Sequence, residues 1–292
     1  MLKDVTLIAG PTASGKSSVA LELAQRDGKV IVNADSMQVY SVLSLLTARP
    51  GVEDLKVVPH HLYGHVHPGG AYSTGRWLRD VERLIETEDL HRRKVIFVGG
   101  TGLYFRALIH GLAQIPDVSP AVREHWRARL SDEGAEALHR LLSQVDPVSA
   151  ARICPPDGQR IVRALEVHDS SGTPISEWQA RHSAPVVDTQ AARKLILAPD
   201  RALLAKRIEA RFDRMIEQGA LEEVRALLAL DLSPSLPAMK AIGVPELSAV
   251  IRGEMSADEA ITRAKAATRQ YAKRQMTWFR NQLGPDWLRV TR

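Results

Sequence analysis

Between Val5 and Gln25 the chain passes from a short uncharged β-branched run, through Gly10-Pro11-Thr12-Ala13-Ser14-Gly15-Lys16-Ser17, into apolar residues at helical spacing. The octapeptide fits G-x-x-x-x-G-K-[ST], which arises by chance in a chain this size on the order of once in a hundred. Its placement between a buried strand and an amphipathic helix is the context the motif requires. The glycines let backbone N–H groups point inward at phosphate oxygens, and the helix start adds positive potential. Lys16 supplies a point charge, and the Ser17 hydroxyl is a natural Mg²⁺ ligand beside a phosphate. Such a nucleotide-binding loop, familiar from ATP-binding proteins, takes a di- or triphosphate. A kinase, an ATPase switch and an enzyme that expels diphosphate could all use it.

The rest of the chain places this loop in an α/β fold with a parallel sheet. Val30-Ile31-Val32, Val95-Ile96-Phe97-Val98 and Leu195-Ile196-Leu197 read as further buried strands. Helices alternate with them: Arg76 to Leu90 carries Trp77, Val81, Leu84 and Ile85 on one side, and long helical segments cover 201–230 and 256–283. From Ser119 to about His182 the pattern is helical throughout, broken at Asp146-Pro147 and Pro155-Pro156. The expected organisation is a core built from 1–118 and 183–292, interrupted by an all-helical insertion over 119–182.

Composition narrows the function classes. Of 292 residues, 45% are hydrophobic and 25% charged, which is enough apolar surface to offset ordering entropy. No apolar run approaches the roughly 18 residues that span a bilayer, so no membrane partner is expected. The first residues read as a strand entering a loop rather than a signal peptide, and the setting expected is cytoplasmic. The single Cys154 can form neither an internal disulfide nor a multi-cysteine metal site. His60, His61, His65 and His67 cluster, but Gly and Pro neighbours favour a loop over a metal centre. The net charge is +5, and residues 260–292 hold eight basic residues to one acidic. A basic end of that kind suits a polyanionic partner.

Past the second strand stands Asn33-Ala34-Asp35-Ser36-Met37-Gln38-Val39-Tyr40. Residues just beyond a strand's carboxyl end face the ligand crevice of an open parallel sheet. Asp35 therefore shares a rim with the phosphate loop, where a carboxylate could serve as helix cap, Mg²⁺-side ligand or general base. Together, GPTASGKS, NADSMQVY, GGTGLY at Gly99–Tyr104 and TRQYAKRQMTWFR at Thr268–Arg280 resemble the tRNA dimethylallyltransferase (tRNA isopentenyltransferase) family, in family order and over residues 10 to 280.

The resemblance implies a P-loop NTPase-like core whose helical insertion grips the anticodon stem-loop of tRNA. It implies transfer of a dimethylallyl group from dimethylallyl diphosphate to N6 of adenosine 37, with Mg²⁺ as cofactor and a monomeric enzyme. Asp35 then matches the family's base, and Lys16 with the loop Gly10–Ser17 would hold the leaving diphosphate. Arg207 and Arg211, four apart on one helix, are candidates for one further arginine there. Thr101, with the stretch Asp35, Ser36, Met37 and Gln38, would meet the substrate adenosine region, and the Gln38 amide can read a base edge. Arg123, and the stretch Gln159, Arg160, Ile161, Val162 and Arg163, match family contacts to tRNA. Arg269, Lys273, Arg274 and Arg280 would follow phosphates, while Trp278 and Phe279 suit core packing.

One segment departs from the family pattern. Where the family reads close to RGMDIGTAKP, this chain has Ser41-Val42-Leu43-Ser44-Leu45-Leu46-Thr47-Ala48-Arg49-Pro50, without the Asp-Ile-Gly piece. A small-molecule kinase or an AMP isopentenyltransferase would share the phosphate loop, yet neither needs the helical insertion or the basic aromatic C-terminal block.

Overall fold

The computed structural model describes residues 1–291. Its first strand, β1 (Val5–Ala9), is buried at every position, which is why it carries no charge and no alternation. The strand feeds the phosphate loop and then α1 (Lys16–Asp27), which opens on Gly15 at φ 86°. There follow β2 (Lys29–Asn33), the short α2 (Val52–Val57), β3 (His60–His61), α3 (Thr74–Thr87) and β4 (Lys94–Gly99). Next come α4 (Gly102–His110), the insertion helices, β5 (Arg193–Leu197), α10 (Arg201–Glu217), α11 (Ala220–Leu228), α12 (Val244–Ile251), α13 (Ala257–Gln282) and β6 (Leu288–Val290). All six strands form one parallel sheet in the order β3-β2-β4-β1-β5-β6.

That order positions the site. The strand following the phosphate loop is not its neighbour: β4 slots between β1 and β2, so the loops after β1, β2 and β4 open side by side at the carboxyl edge. Backbone bonds stitch them together: Gly10 N–H donates to Gly99 O at 3.3 Å, Ala34 N–H to Val98 O at 2.8 Å and Thr101 N–H to Ala34 O at 3.2 Å. Below this edge, Ile8, Ile31, Ile96 and Leu195 pack with Ala20 and Ala24 of α1. Elsewhere in the core, Trp77 of α3 stacks on Tyr104 of α4, ring centroids 4.1 Å apart, and donates its indole N–H to Asn33 O at 3.0 Å.

Two expectations need correction. The helical run over 201–230 is two helices, because Gly219 sits at φ 99° and turns the chain between them. The amphipathic helix expected from Arg76 starts at Thr74, capped by the Ser73 hydroxyl, and ends at Thr87.

By contact density the chain forms two compact units, His110–Pro185 and the remainder. The smaller unit is wider than the expected 119–182, since Leu112 and Ser183 bond to one another on both sides, N–H to Oγ at 3.1 Å and N–H to O at 3.0 Å. It is helical: α5 (Pro120–Glu133), α6 (Ala135–Val145), α7 (Pro147–Ala150), α8 (Gly158–Ser171) and α9 (Ile175–Ala180). It encloses a core of its own around Trp126, Leu138, Leu142, Ile161 and Leu165. The proline breaks seen in sequence mark real ends; Asp146 caps α7 through Ser149 N–H at 2.9 Å and also accepts from Ser176 N–H at 3.1 Å.

The stitched edge is intolerant of added atoms. A Cβ on Gly99 would lie 1.9 Å from Ala34 O, whereas one on Gly28 meets nothing and suffers only its left-handed backbone, φ 65°. Gly99→Ala should therefore cost more in urea unfolding than Gly28→Ala, about 3 kcal/mol or more for the clash against about 1–2 kcal/mol for the left-handed backbone. Equal losses would show that the loops can part freely.

Candidate active site

The phosphate loop is built as its sequence demands. Lys16 is buried, and its ammonium donates to Pro11 O at 3.3 Å. Burial pulls its pKa down to about 8, against the attraction of Asp35, and Arg211 pushes the same way as burial. Ser14 Oγ is buried without a hydrogen-bond partner, the state of a polar atom set for a ligand oxygen. Ala13, at φ 63°, and Gly15 put successive peptide groups in the left-handed turn that a phosphate nest needs.

Both candidate arginines of α10 reach this loop. Arg207 donates to Ser14 O at 3.4 Å, and Arg211 donates to the Thr12 hydroxyl. Burial lowers the Arg211 pKa to about 10, partly offset by Asp35, so it stays charged at neutral pH. The two share a helix face as their spacing predicts, with Arg211 alone lining the cavity described below.

Asp35 is held by its neighbours. Asn33 accepts from Asp35 N–H and donates to Asp35 O, both at 2.9 Å, and Met37 N–H donates to Asp35 Oδ1 at 3.0 Å. The other oxygen, Oδ2, lies 3.1 Å from where a Cβ on Gly100 would stand. Thr101 Oγ1 accepts from Ser36 N–H at 2.9 Å, tying the loop after β4 to the loop after β2.

A residue that the sequence reading passed over joins the loops after β1 and β4. Gln275 of α13, 5% exposed, accepts from Thr12 N–H and donates to Gly100 O, both at 2.9 Å. A signal for it existed: Thr268, Ala272, Gln275 and Phe279 recur at helical spacing on the buried face of α13, and an amide on an apolar face needs partners.

Of these groups, Thr12, Asp35, Ser36 and Arg211 line a cavity of about 330 Å³, together with the polar Lys240 and the apolar Met37, Leu46, Ile208, Phe212, Met215 and Ile242. Tyr271 and Arg274 of α13 complete it, with the Arg274 guanidinium 5.8 Å from the Tyr271 ring centroid. A cation beside the phosphate loop, a carboxylate and apolar side chains around one cavity suit the displacement of a phosphate leaving group from a short apolar chain.

Other expected contacts fall differently. Gln38 is buried, and its Nε2 donates to Thr47 O at 2.9 Å and Ala48 O at 3.0 Å, so that amide nitrogen supports a turn. In the helical unit, Ile161 and Val162 are corrected: their side chains are buried in its core, on the inner face of α8, and offer no surface to RNA. Gln159 and Arg160 are exposed, Arg160 lying 3.2 Å from Asp157. Arg163 pairs with Glu166 at 3.4 Å, and Arg123 is half-buried on α5. On α13, Arg269 bonds Glu209 at 3.1 Å, while Lys273 and Arg280 are exposed. Phe279 is core; Trp278 lies against Gly102, where a Cβ would meet the indole at 2.0 Å. The histidines bond locally: His60 Nδ1 lies 2.8 Å from Val58 O, and His65 Nε2 lies 3.1 Å from the Tyr72 hydroxyl. Among the described residues no three His, Cys, Asp or Glu are grouped to hold a metal.

Known proteins resemble the chain along nearly its whole length. The IPP transferase family model matches residues 38–282, and the isopentenyl transferase model matches residues 3–64. The tRNA dimethylallyltransferase of Chelativorans sp. (strain BNC1) is 67% identical over 98% of each chain. That of Mesorhizobium japonicum is 62% identical, covering 99% of this chain and 90% of the relative. The crystal structure of a full-length tRNA isopentenylpyrophosphate transferase from Bacillus halodurans aligns with TM-score 0.68 at 32% identity, over 99% of this chain and 90% of that one. A eukaryotic dimethylallyltransferase acting on tRNA aligns at TM-score 0.83 and 29% identity, over 99% of this chain and 74% of that one.

The lowered Lys16 pKa fixes a pH dependence. A bound diphosphate favours the ammonium form, so affinity for an alkyl diphosphate should be highest below pH 8. Above it, affinity should fall about tenfold per pH unit as the free protein loses that proton. Calorimetric titration between pH 7 and 9.5 reads this directly; a flat profile would contradict it.

Proposed function

This chain belongs to the IPP transferase family of tRNA dimethylallyltransferases, and from that we infer that it transfers a dimethylallyl group from dimethylallyl diphosphate to N6 of adenosine 37 in tRNA, releasing diphosphate. The observation that carries this reading is the shared cavity: Thr12 of the phosphate loop, Asp35 and Arg211 line one space together with apolar side chains such as Ile208 and Phe212.

The donor's diphosphate rests on the amides of Ala13 to Ser17, with Lys16 and Arg211 against its oxygens. Its allylic chain lies along Ile208 and Phe212. The adenine amine is a poor nucleophile, because its lone pair is delocalised into the ring. Asp35 takes a proton from N6 as the C–N bond forms, and the allylic C–O bond breaks with its electron pair leaving on diphosphate. Charge developing on that oxygen is met by groups already in place, the condition under which electrostatic stabilisation is most effective. Mg²⁺ suits the exposed Ser17 hydroxyl beside the donor's phosphate oxygens, because it prefers phosphate and water oxygens to an all-protein cage; when bound it would neutralise leaving-group charge.

Docking of the anticodon stem-loop falls to the helical unit, through Arg123, Gln159 and Arg160, and to Lys273 and Arg280 on α13. The target base leaves its stack to enter the cavity, and the Tyr271 ring offers it a stacking surface. One chain supplies loop, carboxylate and cavity, so a monomer suffices, acting in the cytoplasm where tRNA resides. The kinase and free-AMP alternatives find no support in relatives aligned along the whole chain.

Incubation with unmodified tRNA, dimethylallyl diphosphate and Mg²⁺ should add one C₅ unit to adenosine by nucleoside mass analysis. ATP turnover without that adduct would overturn the reading. Asp35→Ala should slow the single-turnover rate about 10²–10⁴-fold, the usual weight of a general base; an unchanged rate would leave Asp35 a positioning role only. The salt dependence of tRNA binding should lessen by roughly one per charge when Lys273 and Arg280 are replaced by Ala. An unchanged slope would remove that helix from the docking surface.

A further inference from the structure

One side chain spans two of the loops at the site. Gln275, on the buried face of α13, accepts from Thr12 N–H and donates to Gly100 O, both at 2.9 Å. Its amide thus meets a donor and an acceptor from two different strand ends. Glutamine supplies both roles at that reach. An ionised glutamate would set an oxygen against the Gly100 carbonyl, and asparagine is one methylene shorter. The fit leaves no slack: a Cβ on Gly100 would lie 2.2 Å from Gln275 Nε2 and 3.1 Å from Asp35 Oδ2, so the amide and the carboxylate flank one point.

The bonds continue on both sides of it. Thr12, whose N–H Gln275 holds, also receives the Arg211 guanidinium on its hydroxyl. Beyond Gly100, Thr101 Oγ1 accepts from Ser36 N–H at 2.9 Å, and Asp35 precedes Ser36 on the same loop. A path therefore runs from Arg211 through Thr12, Gln275, Gly100 and Thr101 to the loop of Asp35, and Arg211, Thr12 and Asp35 line the same cavity. Among the described residues, the last backbone bond from the phosphate loop to a neighbouring loop is that of Gly10 N–H to Gly99 O. Two residues further on, at Thr12, Gln275 takes over that task.

We propose that Gln275 is a positioning residue for the transfer: it sets the phosphate loop against the loop of Asp35, and so the departing diphosphate against the base. It acts through Thr12 and Gly100, since it does not itself line the cavity. The inference rests on the reading that Asp35 takes the N6 proton while the phosphate loop holds the donor. A misplacement of about 1 Å between reacting groups costs about 10²-fold in rate. It leaves in place the contacts that bind each substrate.

Single-turnover transfer to unmodified tRNA, at saturating dimethylallyl diphosphate and Mg²⁺, tests it in Gln275→Met, which keeps the length of the side chain and loses both bonds. The rate constant should fall roughly 10–100-fold, while reaction amplitude, tRNA affinity and inhibition by inorganic diphosphate stay within about threefold of wild type. Gln282→Met, at an exposed glutamine on the same helix, should leave the rate constant unmoved. In an Asp35→Ala background the Gln275→Met loss should shrink to less than about threefold, because no base remains to be aligned. Should Gln275→Met fail to fold, Gln275→Glu keeps the acceptor for Thr12 N–H and carries the same expected fall in rate constant. An unchanged rate constant, whatever the amplitude, would make Gln275 a brace for folding only and overturn the proposal. So would a loss of equal size with and without Asp35, or Gln275→Glu at the wild-type rate constant. Absence of any C₅ adduct from the wild-type chain would instead bring down the functional reading beneath it.

Discussion

The site depends on the close backbone approach of three parallel strand ends. Gly99 lies so near Ala34 that no side chain fits between them, and the loops after β1 and β2 bring Thr12 and Asp35 to one cavity. The approach follows from strand order, since β4 separates the two strands whose loops carry the phosphate cradle and the carboxylate. Side chains then lock it. Thr101 joins the second and third loops, and Gln275 joins the first and third from a helix late in the chain. The Gln275 bond to Gly100 O is buried and the other two are part-buried, so removing Gln275 leaves a buried carbonyl without that partner rather than a merely looser contact.

Electrostatics explains why so rigid an edge accompanies a ligand. Lys16 is buried and Arg211 half-buried, and desolvation depresses both, with one carboxylate, Asp35, as their shared counter-charge. The free site thus holds cations at an unfavourable solvation level. A diphosphate entering it relieves both, which couples affinity for the donor to the charge state that later stabilises the leaving group. The same carboxylate that faces both cations also lines the cavity beside Thr12 of the phosphate loop.

Much of this was legible in the sequence. The phosphate loop, the buried strands, Asp35 and the paired Arg207 and Arg211 announce themselves because each depends on local spacing. The all-helical insertion was visible too, though its edges were not: Leu112 and Ser183 carry no periodic signal, and only their mutual bonds widen the unit. The break at Gly219 was hidden in a continuous apolar period. Ile161 and Val162 stand between Arg160 and Arg163 in sequence yet face the helical unit's core, because a helix turns about 100° per residue and carries the flanking arginines onto another face.

By itself, the sequence determined the chemistry at hand: a loop for diphosphate, a carboxylate past the next strand, and a basic helix at the end. Local backbone geometry and side-chain type suffice for those. Tertiary structure alone decided which distant residues complete them. Gln275 reaches Thr12 across most of the chain, Glu223 fastens a turn near residue 45, and Gln38 supports that turn from within. No periodicity encodes such pairings, because a hydrogen bond between remote segments is specified by where the strands and helices pack, and that is settled only when the whole core closes.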